Sequence, residues 1–174
     1  KVSELRCPYH GFTWRTDDGH SRPTGVPADY QGGCIQRVNI DTGAVEILYT
    51  HCDGVPLHGP NDIVFDSAGN FWFTDFGKKF DDRLMWGFIY YASADGSFIK
   101  RAAHHLLTPN GIGLSPDGKT LYVAETETSR LWQYPILGPG ELAQEPWPSP
   151  NGGKILNGQP LGYQRFDSLA VEED

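Results

Sequence analysis

The chain has 174 residues, the length of one ordinary domain, and its 14 Lys and Arg against 22 Asp and Glu leave a net charge of −8. Such a balance offers no basic field for phosphate, which argues against nucleic acid and anionic membrane as partners. With 39% hydrophobic residues a packed core is affordable, 21 Gly and 13 Pro beside a single Met indicate many turns and an all-β fold, and no apolar run nears the ~20 residues of a spanning helix, so a soluble protein is expected.

Residues 1–31 form an N-terminal segment of undecided character, and residues 32–174 carry the regular pattern. Lys1-Val2-Ser3-Glu4-Leu5 opens without a charged-then-apolar signal, and both ends look cut. Cys7-Pro8-Tyr9-His10-Gly11-Phe12 resembles the second half of a Rieske iron–sulfur motif. A Rieske cluster needs two Cys and two His, and the completing Cys-x-His is missing from this chain. The plainer reading makes Gly11-Phe12-Thr13-Trp14 a strand; a gene junction with a Rieske tail is a third. Cys7, Cys34 and Cys52 are odd in number and widely spaced, which favours reduced, partly buried thiols in a cytoplasmic protein over one disulfide.

From Gly33 the elements are hairpins. Residues 33–40 turn at Asp41-Thr42-Gly43 into Ala44–Tyr49. Pro60-Asn61-Asp62-Ile63-Val64-Phe65 turns at Asp66–Gly69 into Phe71-Trp72-Phe73-Thr74-Asp75. Gly87–Ala92 turns through Ala94-Asp95-Gly96 into Ser97–Lys100. Pro109-Asn110-Gly111-Ile112-Gly113-Leu114 turns at Ser115–Gly118 and ends at Glu125, repeating the 60–75 plan with one extra residue. Ser129–Ile136 opens another strand, and Gly138–Gly162 reads as a long Pro/Gly-rich loop. A third copy of the plan begins at Phe166-Asp167-Ser168-Leu169-Ala170-Val171. Asp-Gly and similar turns between alternating apolar runs are hairpin signals.

Two kinds of hairpin alternating every ~50 residues build a four-stranded unit, the blade of a β-propeller. The chain supplies about three blades, whereas closure takes about four to eight. It is either a piece of a longer protein or half of a ring closed by a second copy, and it should self-associate or expose apolar blade faces.

Asn61, Asn110 and Asp167 stand at the same place in three repeats, 49 and 57 residues apart. The first strand of each blade lines the central channel, so these three would open at one mouth of it. Convergent amide and carboxylate oxygens suit a hard divalent cation. The alternative is that they satisfy turn backbone groups. His58, three residues before Asn61, is a candidate for the substrate mouth or a loop histidine.

Gly59-Pro60-Asn61-Asp62-Ile63-Val64-Phe65-Asp66, Thr108-Pro109-Asn110-Gly111-Ile112-Gly113-Leu114 and Phe166-Asp167-Ser168-Leu169-Ala170-Val171 resemble the SMP-30/gluconolactonase/LRE family, in its order and spacing, from about Gly32 to Asp174. That resemblance implies a six-bladed propeller with one divalent metal in the channel and hydrolysis of sugar lactones or other cyclic esters. It makes Asn110 and Asp167 metal ligands, Asn61 a metal or substrate ligand and Asp167 the general base; Asp62 and His58, close in sequence to Asn61, join it as candidate substrate contacts. Ca²⁺ is the expected cofactor, with Mg²⁺, Mn²⁺ and Zn²⁺ as alternatives. The cation would polarise the carbonyl and acidify a water whose proton Asp167 takes.

The chain also departs from the family. The glutamate ligand that members carry in an N-terminal Glu-Gly-Pro setting has no counterpart here, and Gly59 stands where many have an arginine. A non-catalytic propeller segment, acting as a binding or structural module, is the alternative function. No Gly-x-Ser-x-Gly or His-Glu-x-x-His motif is present. Asp75 and Glu125 read as turn-facing carboxylates, Trp72, Trp86, Trp132 and Trp147 as packing, and His104-His105 as a partly exposed pair at a strand end.

Overall fold

The computed structural model describes the backbone of residues 4–6, 12–15 and 21–23, and residues 31–156, 158 and 161–172 in full. Among the described residues there are sixteen strands and no helix. The first three, β1 (Glu4–Arg6), β2 (Phe12–Arg15) and β3 (Ser21–Pro23), form an antiparallel sheet in that order. Residues 7–11, with most of the Rieske-like motif, lie outside the described residues, as does the Cys7 thiol.

Two hairpins follow, β4 (Ile35–Val38) with β5 (Val45–Tyr49) and β6 (His51–Cys52) with β7 (Val55–Pro56). Next comes a complete blade: β8 (Pro60–Phe65), β9 (Phe71–Asp75), β10 (Gly87–Ala92) and β11 (Ile99–Leu106), an antiparallel meander. The second blade is β12 (Pro109–Leu114), β13 (Thr120–Glu125), β14 (Arg130–Gly138) and β15 (Glu141–Leu142), and β16 (Lys154–Ile155) pairs with β14 as well. The stretch expected to be only a loop, 138–162, thus holds two short strands. They divide the long β14 between them, β15 pairing at Ile136 and Gly138 and β16 at Trp132 and Gln133.

The hairpin turns close as their sequences dictate. Each ends on a glycine in the left-handed region, with φ of 70° at Gly43, 82° at Gly69, 83° at Gly96 and 67° at Gly118. Side chains preset the turns too: Asp66 Oδ1 accepts from the Ala68 and Asn70 amides at 2.9 and 3.0 Å. In the next hairpin Ser93 Oγ donates to Asp95 Oδ1 at 2.6 Å, and this contact, followed by Ser97, pulls the exposed Asp95 carboxyl down to about 2.

The first blade is buried on both faces, so its middle strands read as continuous apolar runs. Along β9 and β10 the pleat sends Phe71, Phe73, Tyr90 and Ala92 to one side, where Tyr49, Cys52 and Leu57 of the preceding hairpins meet them. Trp72, Ile89 and Tyr91 go to the other side, against Ile112, Leu121, Val123, Trp132 and Tyr134 of the second blade. Tyr49 also reaches across the first interface to donate its hydroxyl to the Ser93 carbonyl at 2.8 Å.

Of the four tryptophans assigned to packing, Trp72 and Trp132 are fully buried, but Trp86 is half-exposed beside His105 and Trp147 lies open at a loop tip. The physical reason is position: Trp72 and Trp132 sit inside strands, the other two in or at the end of connections. Exposed apolar faces are also present, with Val38, Ile40, Val45 and Ile47 on the β4–β5 hairpin and Ile63 and Phe65 on β8. Cys34 is half-buried and Cys52 buried, and His104 and His105 are exposed at the end of β11.

Candidate active site at the head of the inner strands

The strands β8 and β12 lie side by side, and both carry the same irregularity at their first turn of pleat. In β8, Pro60 pairs with Asp75 and Ile63 with Phe73, so Asn61 and Asp62 together oppose the single residue Thr74. In β12, Pro109 pairs with Glu125 and Ile112 with Val123, so Asn110 and Gly111 oppose Ala124. These are β-bulges, which insert one residue, re-aim a side chain and free backbone groups from the ladder.

The freed groups stitch neighbouring inner strands together. Asp62 N donates to Thr74 Oγ1 at 3.2 Å, and that hydroxyl donates to the Asn110 carbonyl at 2.6 Å. Asp62 Oδ2 accepts from Ile112 N at 3.2 Å, and Gly111 N donates to the Asp167 carbonyl at 3.1 Å. The third segment is thereby seated against β12, and Asn110 and Asp167, 57 residues apart in sequence, become neighbours. Space at this seam is tight: a Cβ on Gly111 would lie 2.6 Å from both the Asp167 carbonyl oxygen and the Leu169 nitrogen.

Each approach loop is held by the carboxylate at the end of the adjacent strand. Asp75, fully buried, accepts from His58 N at 2.6 Å, Gly59 N at 2.7 Å and Gly77 N at 3.0 Å. Glu125, equally enclosed, accepts from Leu107 N and from the Thr128 hydroxyl, both at 2.6 Å. Both are turn-facing, as read from sequence. Asp75→Ala would leave three amide donors without their acceptor and is expected to cost about 3 kcal/mol or more in urea unfolding; a loss within about 0.5 kcal/mol, the range of an ordinary surface change, would refute that role.

Asn110 is buried, with its Nδ2 donating to Thr126 Oγ1 at 3.1 Å and its Oδ1 enclosed without a hydrogen-bond partner. Asn61 and Asp167 are exposed at the mouth. Asp62 is half-buried and spends both carboxylate oxygens on backbone amides, Oδ1 on Ile63 N at 2.9 Å and Oδ2 on Ile112 N. His58 is half-buried too, its ring tilted against Phe88 with centroids 5.7 Å apart. Around the rim, Glu127 accepts from Lys79 Nζ at 3.3 Å and, through both carboxylate oxygens, from Arg165 Nη2 at 3.0 Å, joining loops from three successive units. At the end of β11, burial, then His105 and then Arg101, hold the His104 ring below its ordinary pKa.

Among the described residues, no three His, Cys, Asp or Glu side chains cluster closely enough to hold a metal ion. Asn61, Asn110 and Asp167 each stand near the start of their repeat, and their side chains are two amides and a carboxylate, oxygen donors of the kind hard cations take. Sequence reasoning names Asn61, Asn110 and Asp167 as candidates and does not single out the hydroxyls of Thr74 and Thr126 that hydrogen-bond around them. The only trace they leave is their position beside the strand-end carboxylates Asp75 and Glu125.

Comparison with known proteins places these features in context. The chain is 42% identical over 114 residues to lactonase drp35 of Staphylococcus saprophyticus, covering 66% of this chain and 33% of that protein. It is 38% identical over the same coverage to lactonase drp35 of Staphylococcus aureus. A gluconolactonase structure, XC5397 from Xanthomonas campestris, superposes with a TM-score of 0.54 at 29% identity, covering 75% of this chain and 52% of that one. The chain spans about a third of the length of the curated relatives it matches. The family model described as an SMP-30/gluconolactonase/LRE-like region matches residues 10–174, and the chain belongs to that family.

Proposed function

We propose that this protein hydrolyses lactones or related cyclic esters, with a divalent cation at the head of the inner strands. The observation that carries the reading is the Asn110 side chain: a buried carbonyl oxygen left without a donor costs roughly 1–3 kcal/mol, and the next residue, Gly111, is bonded through its amide to the Asp167 carbonyl. The residues fit a hard cation, and Ca²⁺ is the proposed one because every donor is an oxygen. Asn110 and Asp167 would hold it, with Asn61 as a third donor. When bound, the ion supplies Lewis-acid polarisation of an ester carbonyl.

The chain's own groups do the rest. Asp167, exposed at the mouth, is the proposed general base, taking a proton from the water that adds to the carbonyl. Opening of the ring then needs a proton on the departing alkoxide, and the carboxylic acid formed on Asp167 is the group placed to return it. Asn61 is the proposed substrate contact, being exposed on the adjacent bulge. Asp62 and His58 complete that wall, although the first is engaged in tying β8 to β12 and the second packs on Phe88. The similarity to lactonase drp35 and to a gluconolactonase structure supports the choice of a lactone as substrate class.

Acid release from a lactone, followed by pH-stat with and without added Ca²⁺, tests the reading. Asp167→Ala is expected to lower the rate by about 100-fold or more, the usual contribution of a positioned base. Equal rates for the variant and the unaltered chain would overturn the assignment.

A further inference from the structure

The reading of Asn110 as a cation ligand leaves one question that the hydrogen bonds answer. An asparagine amide has two faces, and only its oxygen can serve a cation. We infer that Thr126 is a positioning residue that fixes which face of the Asn110 amide is presented, a role that rests on that ligand reading.

Thr126 Oγ1 lies 2.8 Å from the Phe166 carbonyl oxygen and 3.1 Å from the Asn110 side chain. A carbonyl has no proton to give, so the single hydroxyl proton of Thr126 goes to Phe166. What Thr126 then offers Asn110 is a lone pair, which accepts only from Nδ2. Oδ1 is thereby turned away from Thr126, to where it has no hydrogen-bond partner. Were the amide reversed, two acceptors would compete for one proton, and one of the two contacts would be lost.

The hydroxyl itself has little freedom. The Thr126 amide donates to the Thr108 carbonyl at 3.1 Å, and Glu127 N donates to Thr108 Oγ1 at 2.9 Å, clamping the turn onto the loop that leads into Asn110. Through Phe166 the same hydroxyl holds the residue just before Asp167. One side chain therefore orients the amide ligand and anchors the approach to the carboxylate ligand. Partners of this kind behind a ligand commonly govern metal affinity by 10–100-fold.

Calorimetric titration of the metal-stripped chain with Ca²⁺ alone tests the inference. Thr126→Val, which keeps the shape and removes the hydroxyl, is expected to weaken Ca²⁺ binding by about 10–100-fold, while Thr126→Ser should stay within about 3-fold. A carboxylate has no wrong face, so adding Asn110→Asp to Thr126→Val should restore affinity, which a merely structural role for Thr126 would not predict. Thr126→Ala serves in place of Thr126→Val if the circular dichroism of the latter shows it unfolded. Unchanged affinity without the hydroxyl, equal losses for Val and Ser, or no recovery with the carboxylate would each overturn the positioning role alone. If the unaltered chain binds no Ca²⁺, Mg²⁺ or Mn²⁺, the ligand reading of Asn110 falls and this inference with it.

Discussion

Gly111→Ala is expected to be among the most damaging single-atom additions in the chain. The new Cβ would stand 2.6 Å from the Asp167 carbonyl oxygen and 2.6 Å from the Leu169 nitrogen, both backbone atoms that no rotamer change can move aside. The seam between β12 and the 166–171 segment must open, and with it goes the Gly111 amide bond to Asp167. Overpacking of this kind costs about 1–3 kcal/mol, and the loss of a buried backbone hydrogen bond adds to it. Urea unfolding should show the loss, and hydrogen exchange should show it concentrated at Leu169. Gly158→Ala is the control, because among the described residues a Cβ there meets nothing within 4 Å. If the two variants unfold alike, the seam is not close-packed as described.

Asn110→Leu should separate stability from function. The substitution removes a buried, unpartnered oxygen and replaces a polar side chain by an apolar one of similar size. Losing the unpaired acceptor offsets losing the bond to Thr126, so the unfolding free energy is expected to stay within about 1 kcal/mol of the unaltered chain. Ca²⁺ binding and lactone hydrolysis should fall by about 100-fold or more, since an alkyl group cannot replace a ligand oxygen. A residue kept at no benefit to stability is the mark of a site under functional demand. Activity that survives Asn110→Leu would remove Asn110 from the chemistry, and a stability loss of about 3 kcal/mol would make it a structural residue instead.

Much of this architecture can be read from sequence because hairpins announce themselves locally. The glycines at 43, 69, 96 and 118 all occupy the left-handed positions that their turns require. The alternation along 60–75 and 109–125 repeats, and that repetition is what aligned Asn61, Asn110 and Asp167 before any contact was known. The bulges escaped because a register shift belongs to the pairing of two strands, and neither strand shows it alone. Thr74 and Thr126 escaped for a similar reason. Their importance comes from what lies opposite them across 36 and 16 residues, and a threonine in or beside a strand is otherwise unremarked. The strands inside 138–162 are each two residues long and depend on β14 for their existence, so no periodicity marks them.

The paired bulges have a consequence for how such a mouth can change over time. A strand without them carries one parity from end to end, and any insertion flips every core residue to the wrong face. Here the irregularity absorbs the extra residue before Ile63 and Ile112, so the ladder beyond it keeps its phase whatever precedes it. The proposed chemistry and the packing thus fall on separate stretches of the same strand. New donors can be tried at positions 61 and 110 while the interface formed by Trp72, Ile112 and Val123 stays as it is. A fold of this design can trade one substrate for another by drift at a handful of loop-proximal positions, which is one physical route by which a single scaffold comes to serve many reactions.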